Sequence, residues 1–205
     1  ASLCGAVRWI GTAIPVLRSM ATALSLKVHP GAKATSRRLI RLPRLSMLAR
    51  DLALEVLHLN RWEPLTREQS PHPPILVETD SCGGADAGVG VSIPEFGVAI
   101  SQPLSETARR LGNNNAFETA AAAVGAWLAC ELDASGARDV RVYTDNTAAA
   151  AWLNGASPPH SDDLRSLSAS MSQAVLRWRT GRRVTFCFIP GVQNVTADAL
   201  SRQVP

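Results

Sequence analysis

The first 50 residues contain no Asp or Glu, and the whole chain has no paired cysteine spacing, no long uncharged apolar run and no internal repeat. Each absence excludes something. The four cysteines, Cys4, Cys82, Cys130 and Cys187, are far apart with no C-x-x-C pair, so neither a zinc site nor a disulfide framework is suggested, and a reducing compartment fits. Arg8 and Arg18 interrupt the most apolar part of the amino terminus before it reaches the roughly 18 to 20 uncharged residues that span a bilayer. A soluble chain with no membrane partner is expected.

What is present is a globular composition. With 205 residues, 46% of them hydrophobic and 19% charged, the chain can bury a core in one domain, or in one domain plus an appendage. The net charge of +4 conceals an asymmetry: residues 1–50 hold nine of the 21 Lys and Arg, which leaves 12 against all 17 acids from Asp51 onward. An acid-free, Arg- and Ser-containing amino terminus reads either as a mitochondrial transit peptide or as a basic helical surface that contacts phosphates. A chain that starts at Ala1 reads as a fragment or a processed product. The expected location is intracellular, in cytoplasm or nucleus, with the mitochondrion as the alternative raised by the basic amino terminus.

Apolar residues recur at helical spacing in "VRWIGTAIPVLRSMATALSL" and more strongly in "RLSMLARDLALEVLHLNRW", so residues 1–62 are expected to form a basic helical segment. The stretch "EPLTREQSPHPP" (63–74) has the composition of a Pro-rich linker, with a boundary near Pro71. From 75 to 205 the pattern predicts strands at 75–80, 88–95 and 96–101 and a long helix at about 115–132. A strand "VRVYTD", a short helix from 147, the helix "DLRSLSASMSQAVLRWR", a strand at 183–190 and a last helix "NVTADALSR" follow. The order β-β-β-α-β-α-α-β-α implies an α/β fold: an antiparallel meander extended by parallel strands into a mixed five-stranded sheet with helices on its faces.

Four acids stand out from this layout. Asp80 is expected to end the first strand, Glu118 to lie in the first turn of the long helix, Asp145 to end the fourth strand and Asp198 to lie early in the last helix. If the first and fourth strands are parallel neighbours, their carboxyl ends meet at the edge where open α/β sheets build sites. Ala121, Ala122 and Gly125, at i+3, i+4 and i+7 from Glu118, would let the helix approach closely. Carboxylates gathered in one cleft repel unless a cation compensates, and oxygen ligands without His or Cys favour Mg²⁺ or Mn²⁺. Two such ions can activate a water and stabilise a leaving oxygen in phosphodiester cleavage. Singly, each acid has a plainer reading: Asp145 as a helix cap, Glu118 and Asp198 as first-turn acids favoured by the helix dipole. Asp86 reads as a turn residue, and Glu78 remains open.

Taken in order, these residues resemble the ribonuclease H family, and most closely the RNase H domains of gypsy-like or DIRS-like retroelement reverse transcriptases. The resemblance covers about residues 75–202 and rests on "VETDSCGGADAGVGVSI", "NNNAFETAAAAVGAWL", "VRVYTDN" and "FIPGVQNVTADALSR". It implies an RNase H-like fold, two Mg²⁺ ions replaceable by Mn²⁺, and hydrolysis of RNA in an RNA/DNA hybrid. By the same resemblance Asp80 bridges both ions, Glu118 and Asp145 hold the ion on the leaving-group side, and Asp198 holds the ion that activates water. Asn114 and Asn115 would touch the RNA strand near its 2′-hydroxyls, with Cys82, Gly83 and Asn146 as further nucleic-acid contacts.

The chain departs from the family where a histidine commonly stands ten residues before the last Asp: that position is Phe188. His72 and His160, in predicted loops, are no obvious substitutes. Residues 1–62 loosely resemble the thumb and connecting region that precedes RNase H in such polymerases, which implies the polymerase portion, or another protein of a ribonucleoprotein, as partner. No Y-x-D-D sequence occurs, so no DNA synthesis by this chain alone is expected. The alternatives are a catalytically weak RNase H-like module with a structural or RNA-binding role, and a transposase or junction resolvase of the same superfamily.

Overall fold

The computed structural model describes residues 47–51, 53–54, 70–84, 87–106, 109, 113–155, 166, 169–170, 172–173, 176 and 180–203. Of the predicted amino-terminal helical segment, only residues 47–51, 53 and 54 fall in this set, and they are helical. The remainder of 1–62 and the linker residues 63–69 lie outside the described residues. No helix among the described residues is long and apolar enough to cross a membrane.

Five strands form one sheet: β1 (Ile75–Cys82), β2 (Gly88–Ile93), β3 (Val98–Pro103), β4 (Val140–Thr144) and β5 (Val184–Phe188). Their order is β3-β2-β1-β4-β5, with β1–β2 and β2–β3 antiparallel and β1–β4 and β4–β5 parallel. This is the mixed sheet that the element order predicts. Several strand boundaries move. Pro94 has no N–H for the ladder and opens a 3₁₀ turn, Pro94–Phe96, closed by Gly97 at φ +65°, so β2 stops at Ile93 and β3 begins at Val98 rather than at 96. β1 runs two residues past Asp80, because Ser81 pairs with Val89 and Cys82 with Gly88.

Helix α1 (Asn114–Leu132) starts where the Asn113 side chain accepts the Ala116 N–H at 2.8 Å. It lies on one face of the sheet through small side chains: Ala122, Ala126 and Ala129 are fully buried, and a Cβ on Gly125 would stand 2.9 Å from both Val77 Cγ1 and Thr79 Cγ2. The core between them is built from Ile75, Val77, Val91, Val142, Leu153 and Phe186. Helix α2 (Thr147–Leu153) follows β4. Ser166, Ala169, Ser170, Gln173 and Leu176 are helical and buried, as the "DLRSLSASMSQAVLRWR" pattern predicts, and the Gln173 amide donates to the Ala123 carbonyl at 2.8 Å.

Helix α3 (Val195–Ser201) packs on the opposite face, against β1, β2 and β3. The glycines of "GVGVSI" make this possible. A Cβ on Gly88 would meet the Ser201 carbonyl oxygen at 2.3 Å, and one on Gly90 would meet the Ala197 carbonyl oxygen at 2.2 Å. Those obstacles are backbone atoms, which cannot retreat without shifting the helix. Gly90→Ala is therefore expected to cost about 1–3 kcal/mol of stability as overpacking does, read as a lower denaturant midpoint at unchanged m-value; an unchanged midpoint would contradict this packing.

Candidate metal centre

In the parallel register Glu78 faces Tyr143, so Asp80 and Asp145, each two residues further on, come to the same end of the sheet. α1 brings Glu118 over that end. One carboxylate oxygen from each of Asp80, Glu118 and Asp145 lies within 4.8 Å of the others. Asp198, on α3, lines the same cleft without joining this close group, and its Oδ1 accepts from Arg202 Nε at 2.8 Å. Sequence reasoning placed all four acids together; the structure gathers three tightly and sets the fourth at the rim, paired with a cation.

Three local expectations are corrected. Asp80 sits within β1, not at its end, for the pairing reason given above. Glu118 lies in the second turn of α1, because the helix begins at Asn114 and has no acid in its first turn. The plainer reading of Asp145 as a helix cap is overturned: the cap of α2 is Asn146, whose side chain accepts the Ala149 N–H at 2.9 Å. Asp145 is left with its carboxylate directed into the cluster.

Each acid is held. Glu118, 2% exposed, accepts the Ser81 N–H at 3.2 Å and the Thr144 hydroxyl at 3.4 Å, so one carboxylate is tied to both β1 and β4. Asp80, 4% exposed, accepts the Ser201 hydroxyl at 2.5 Å. Gly191, in the 3₁₀ turn Gly191–Gln193 after β5, lies so close to Asp145 that a Cβ there would stand 3.0 Å from Oδ2. Asn194 is fully buried and donates to the Thr79 carbonyl at 2.9 Å, which fixes the start of α3 over β1. Ser81, Thr144, Gly191, Asn194 and Ser201 were not singled out from the sequence. Ser201 carried a usable signal, since i+3 from Asp198 places it on the same helical face, turned toward the strand that carries Asp80.

The predicted nucleic-acid contacts line the cleft in part. Asn114, Cys82, Gly83 and Asn146 border it. Asn114 Oδ1 accepts from the Ser81 hydroxyl at 3.4 Å, and Asn146 Nδ2 donates to Asn115 Oδ1 at 2.9 Å, linking the starts of α1 and α2. The Cys82 thiol is turned away, donating to the Ser201 carbonyl at 2.9 Å, so Cys82 offers its backbone to the cleft. Phe188, half exposed, stands opposite Thr144 in the ladder. His72 is exposed beside the amino ends of β4 and β5, away from the acids. Glu78 is half-buried with Oε2 unpartnered, while Asp86 and His160 lie outside the described residues. Cys130 and Cys187 are free thiols.

The electrostatics follow from burial. Desolvation pushes the Glu118 carboxyl up to about 8, and the neighbouring Asp80 and Asp145 charges add to it. Asp80 is raised as well, first by burial; the Ser201 hydrogen bond opposes the shift, and Asp145 and Asp198 reinforce it. Burial and mutual repulsion keep both acids raised even though the Arg202 charge acts in the opposite sense on Asp80. Three convergent carboxylates with no His or Cys ligand form a donor set suited to a hard divalent cation.

The fold is similar to those of solved RNase H domains. An amino-terminal RNase H domain from Mycobacterium tuberculosis, in a fusion with maltose-binding protein, matches at 21% identity over 64% of this chain and 98% of that one, with a TM-score of 0.49. LC11-RNase H1, isolated from compost by a metagenomic approach, matches at 20% identity over 64% and 95%, with a TM-score of 0.50. LC11-RNase H1 in complex with an RNA/DNA hybrid matches at 20% identity over 63% and 94%, with a TM-score of 0.49. At such identities the likeness defines the fold, which is RNase H-like. No protein-family model matches the chain, and no curated protein matches it.

The Glu118 shift has a definite sign. Between its ordinary 4.5 and about 8, the folded chain keeps a proton that the unfolded chain has released. This contribution to stability is fully present below about 4.5 and lost as pH rises through about 8. Without divalent ions, the melting temperature of the native chain is expected to fall more steeply between about pH 5 and pH 8 than that of Glu118→Gln and to run parallel to it above about pH 9, and Mn²⁺ is expected to restore it in the native chain only. Profiles that run parallel through the lower range as well would remove the buried carboxylate from the account.

Proposed function

We propose that the chain is a metal-dependent endonuclease that cleaves the RNA strand of RNA/DNA hybrids, as part of a retroelement reverse transcriptase. The observation that carries the reading is the convergence of Asp80, Glu118 and Asp145 from a strand, a helix and a second strand within 4.8 Å, with Asp198 on the same cleft. The donor set is all carboxylate, which suits Mg²⁺ or Mn²⁺ over softer ions. When bound, a pair of such ions would supply an activated water and a stabilised leaving oxygen.

The protein's own part is to position. Asp80, held by Ser201, and Glu118, held by Ser81 and Thr144, enter the site with few free rotamers, so a cation would meet prearranged oxygens. Asn114 and Asn146, the latter held by Asn115, set amide groups along one wall, where donors and acceptors could read 2′-hydroxyls. Asp198, half-buried and, among the described residues, held through its carboxylate by Arg202 alone, is the carboxylate freest to move toward an ion. The retroelement setting is supported by the basic, acid-free first 50 residues and by the "FIPGVQNVTADALSR" resemblance. One observation favours a second reading, a catalytically weak module with a structural or RNA-binding role: Phe188, a half-exposed apolar ring opposite Thr144, stands at the position where the resembled family commonly has a histidine.

The test is cleavage of an end-labelled RNA/DNA hybrid in Mg²⁺ or Mn²⁺, with single-stranded RNA as control. Cutting confined to the hybrid, leaving 5′-phosphate and 3′-hydroxyl ends, is expected. Asp145→Asn should reduce it by at least about 100-fold, the scale on which even outer-sphere changes act at metal sites. A folded chain that binds the hybrid and leaves it intact in Mn²⁺ would shift the assignment to the non-catalytic module.

A further inference from the structure

Four of the described arginines stand within ion-pair distance of a carboxylate: Arg50 with Asp51, Arg138 with Glu95, Arg182 with Asp133 and Arg202 with Asp198. Arg141 and Arg183 form no such pair among the described residues, both are exposed, and both line one groove at the amino ends of β4 and β5, with His72 beside them. The groove's one carboxylate, Asp139, accepts the backbone N–H groups of Arg183 at 3.2 Å and Ser70 at 3.4 Å, so it is held in the wall, and against two guanidinium groups it leaves the groove with an excess of positive charge. The groove holds about 200 Å³, below the roughly 300 Å³ at which small-molecule sites begin, and suited to a phosphate group.

Its position relates it to the acidic cleft. Val140 and Val142 point into the core under α1, so Arg141 and Tyr143 project from the other face, the face of Asp80. α3 packs on β1, β2 and β3, and on the β4–β5 side Arg141 is exposed and Tyr143, Thr185 and Cys187 are partly exposed. Asp145 lies four positions beyond Arg141, just past the end of β4, about 13 Å away at roughly 3.3 Å per residue. A hybrid engaged at the cleft and running along this face would bring a backbone phosphate to the groove within a few nucleotides.

We propose that Arg141 and Arg183 form a second nucleic-acid contact, a phosphate site for the backbone of the hybrid remote from the point of cleavage. The inference rests on the hybrid-nuclease reading. Guanidinium groups without carboxylate partners grip phosphate oxygens in paired hydrogen bonds, and an acidic cleft cannot itself attract a polyanion.

The test compares the native full-length chain with Arg141→Gln/Arg183→Gln and Arg141→Lys/Arg183→Lys. Hybrid binding is followed by fluorescence anisotropy in Ca²⁺ across a salt series, and cleavage in Mg²⁺. In the Gln double variant the affinity should fall several-fold and the slope of log Kd against log salt should shrink by about 0.9 per lost phosphate contact. KM should rise with kcat unchanged, since neither arginine reaches the reacting atoms, and the Lys variant should keep the native slope. Normal cleavage with an unchanged affinity and salt slope overturns the groove alone, as when it serves a protein partner instead. A native chain that neither binds nor cuts the hybrid overturns both the groove and the nuclease reading.

Discussion

The parallel register of β1 on β4 is the constraint from which the site follows. With Glu78 opposite Tyr143, the two strands end together, and Asp80 and Asp145 meet there without any help from a loop. A slip of one residue would turn Asp80 into the core under α1 and bring Thr79 to the other face. The hydrophobic pattern forbids that slip, because Ile75 and Val77 must remain beneath α1. The Thr79 hydroxyl, donating to the Tyr143 carbonyl at 3.0 Å, ties the same two strands one residue before Asp80. Core packing and acid placement are thus one requirement.

That placement is electrostatically unfavourable in the metal-free chain, and the rest of the architecture holds it in place. Two elements press on the sheet from opposite faces through positions with no side chain: α1 on β1 at its own Gly125, and α3 on β2 over Gly88 and Gly90. The close approach removes water from Asp80 and Glu118, which raises both groups, and it also delivers the Ser201 hydroxyl and the Ser81 N–H that hold their oxygens. Desolvation and positioning therefore come from the same contacts, and a change that relieves one loosens the other. Asp198 is outside this grip. Its pairing with Arg202, on the solvent side, is of the weakly stabilising surface kind and can yield to a divalent ion.

Much of this was legible in the sequence because the signals were local. The β-branched runs, the alanine-rich helix and the change of pattern after the Pro-rich stretch carry the strand and helix order, and three strands before the first helix carry the meander. The Ala121, Ala122 and Gly125 face announced a close helix–sheet contact, and Gly125 makes one. What was not legible depended on tertiary neighbours. Whether Asp145 or Asn146 caps α2 is decided by which side chain turns back to the Ala149 N–H, and two adjacent capping-type residues are indistinguishable until the cluster claims one of them. The extension of β1 past Asp80 depends on pairing with Gly88 and Val89, across a glycine-rich turn that reads as a strand end. That Asp198 would be turned to Arg202 instead of joining the other three acids is a matter of i,i+4 geometry on a short helix, and no motif shows it.

The central claim is that these acids form a cation site whose charge is completed only when the cation arrives. The most direct measurement is calorimetric titration of the full chain with Mn²⁺ at pH 7, repeated in buffers of different ionisation enthalpy. With Glu118 at about 8, most of the metal-free protein carries that proton at pH 7, so saturable binding should release close to one proton per chain, and Glu118→Gln should bind more weakly and release almost none. Binding with no proton release, or equal affinity in Glu118→Gln, would contradict the account.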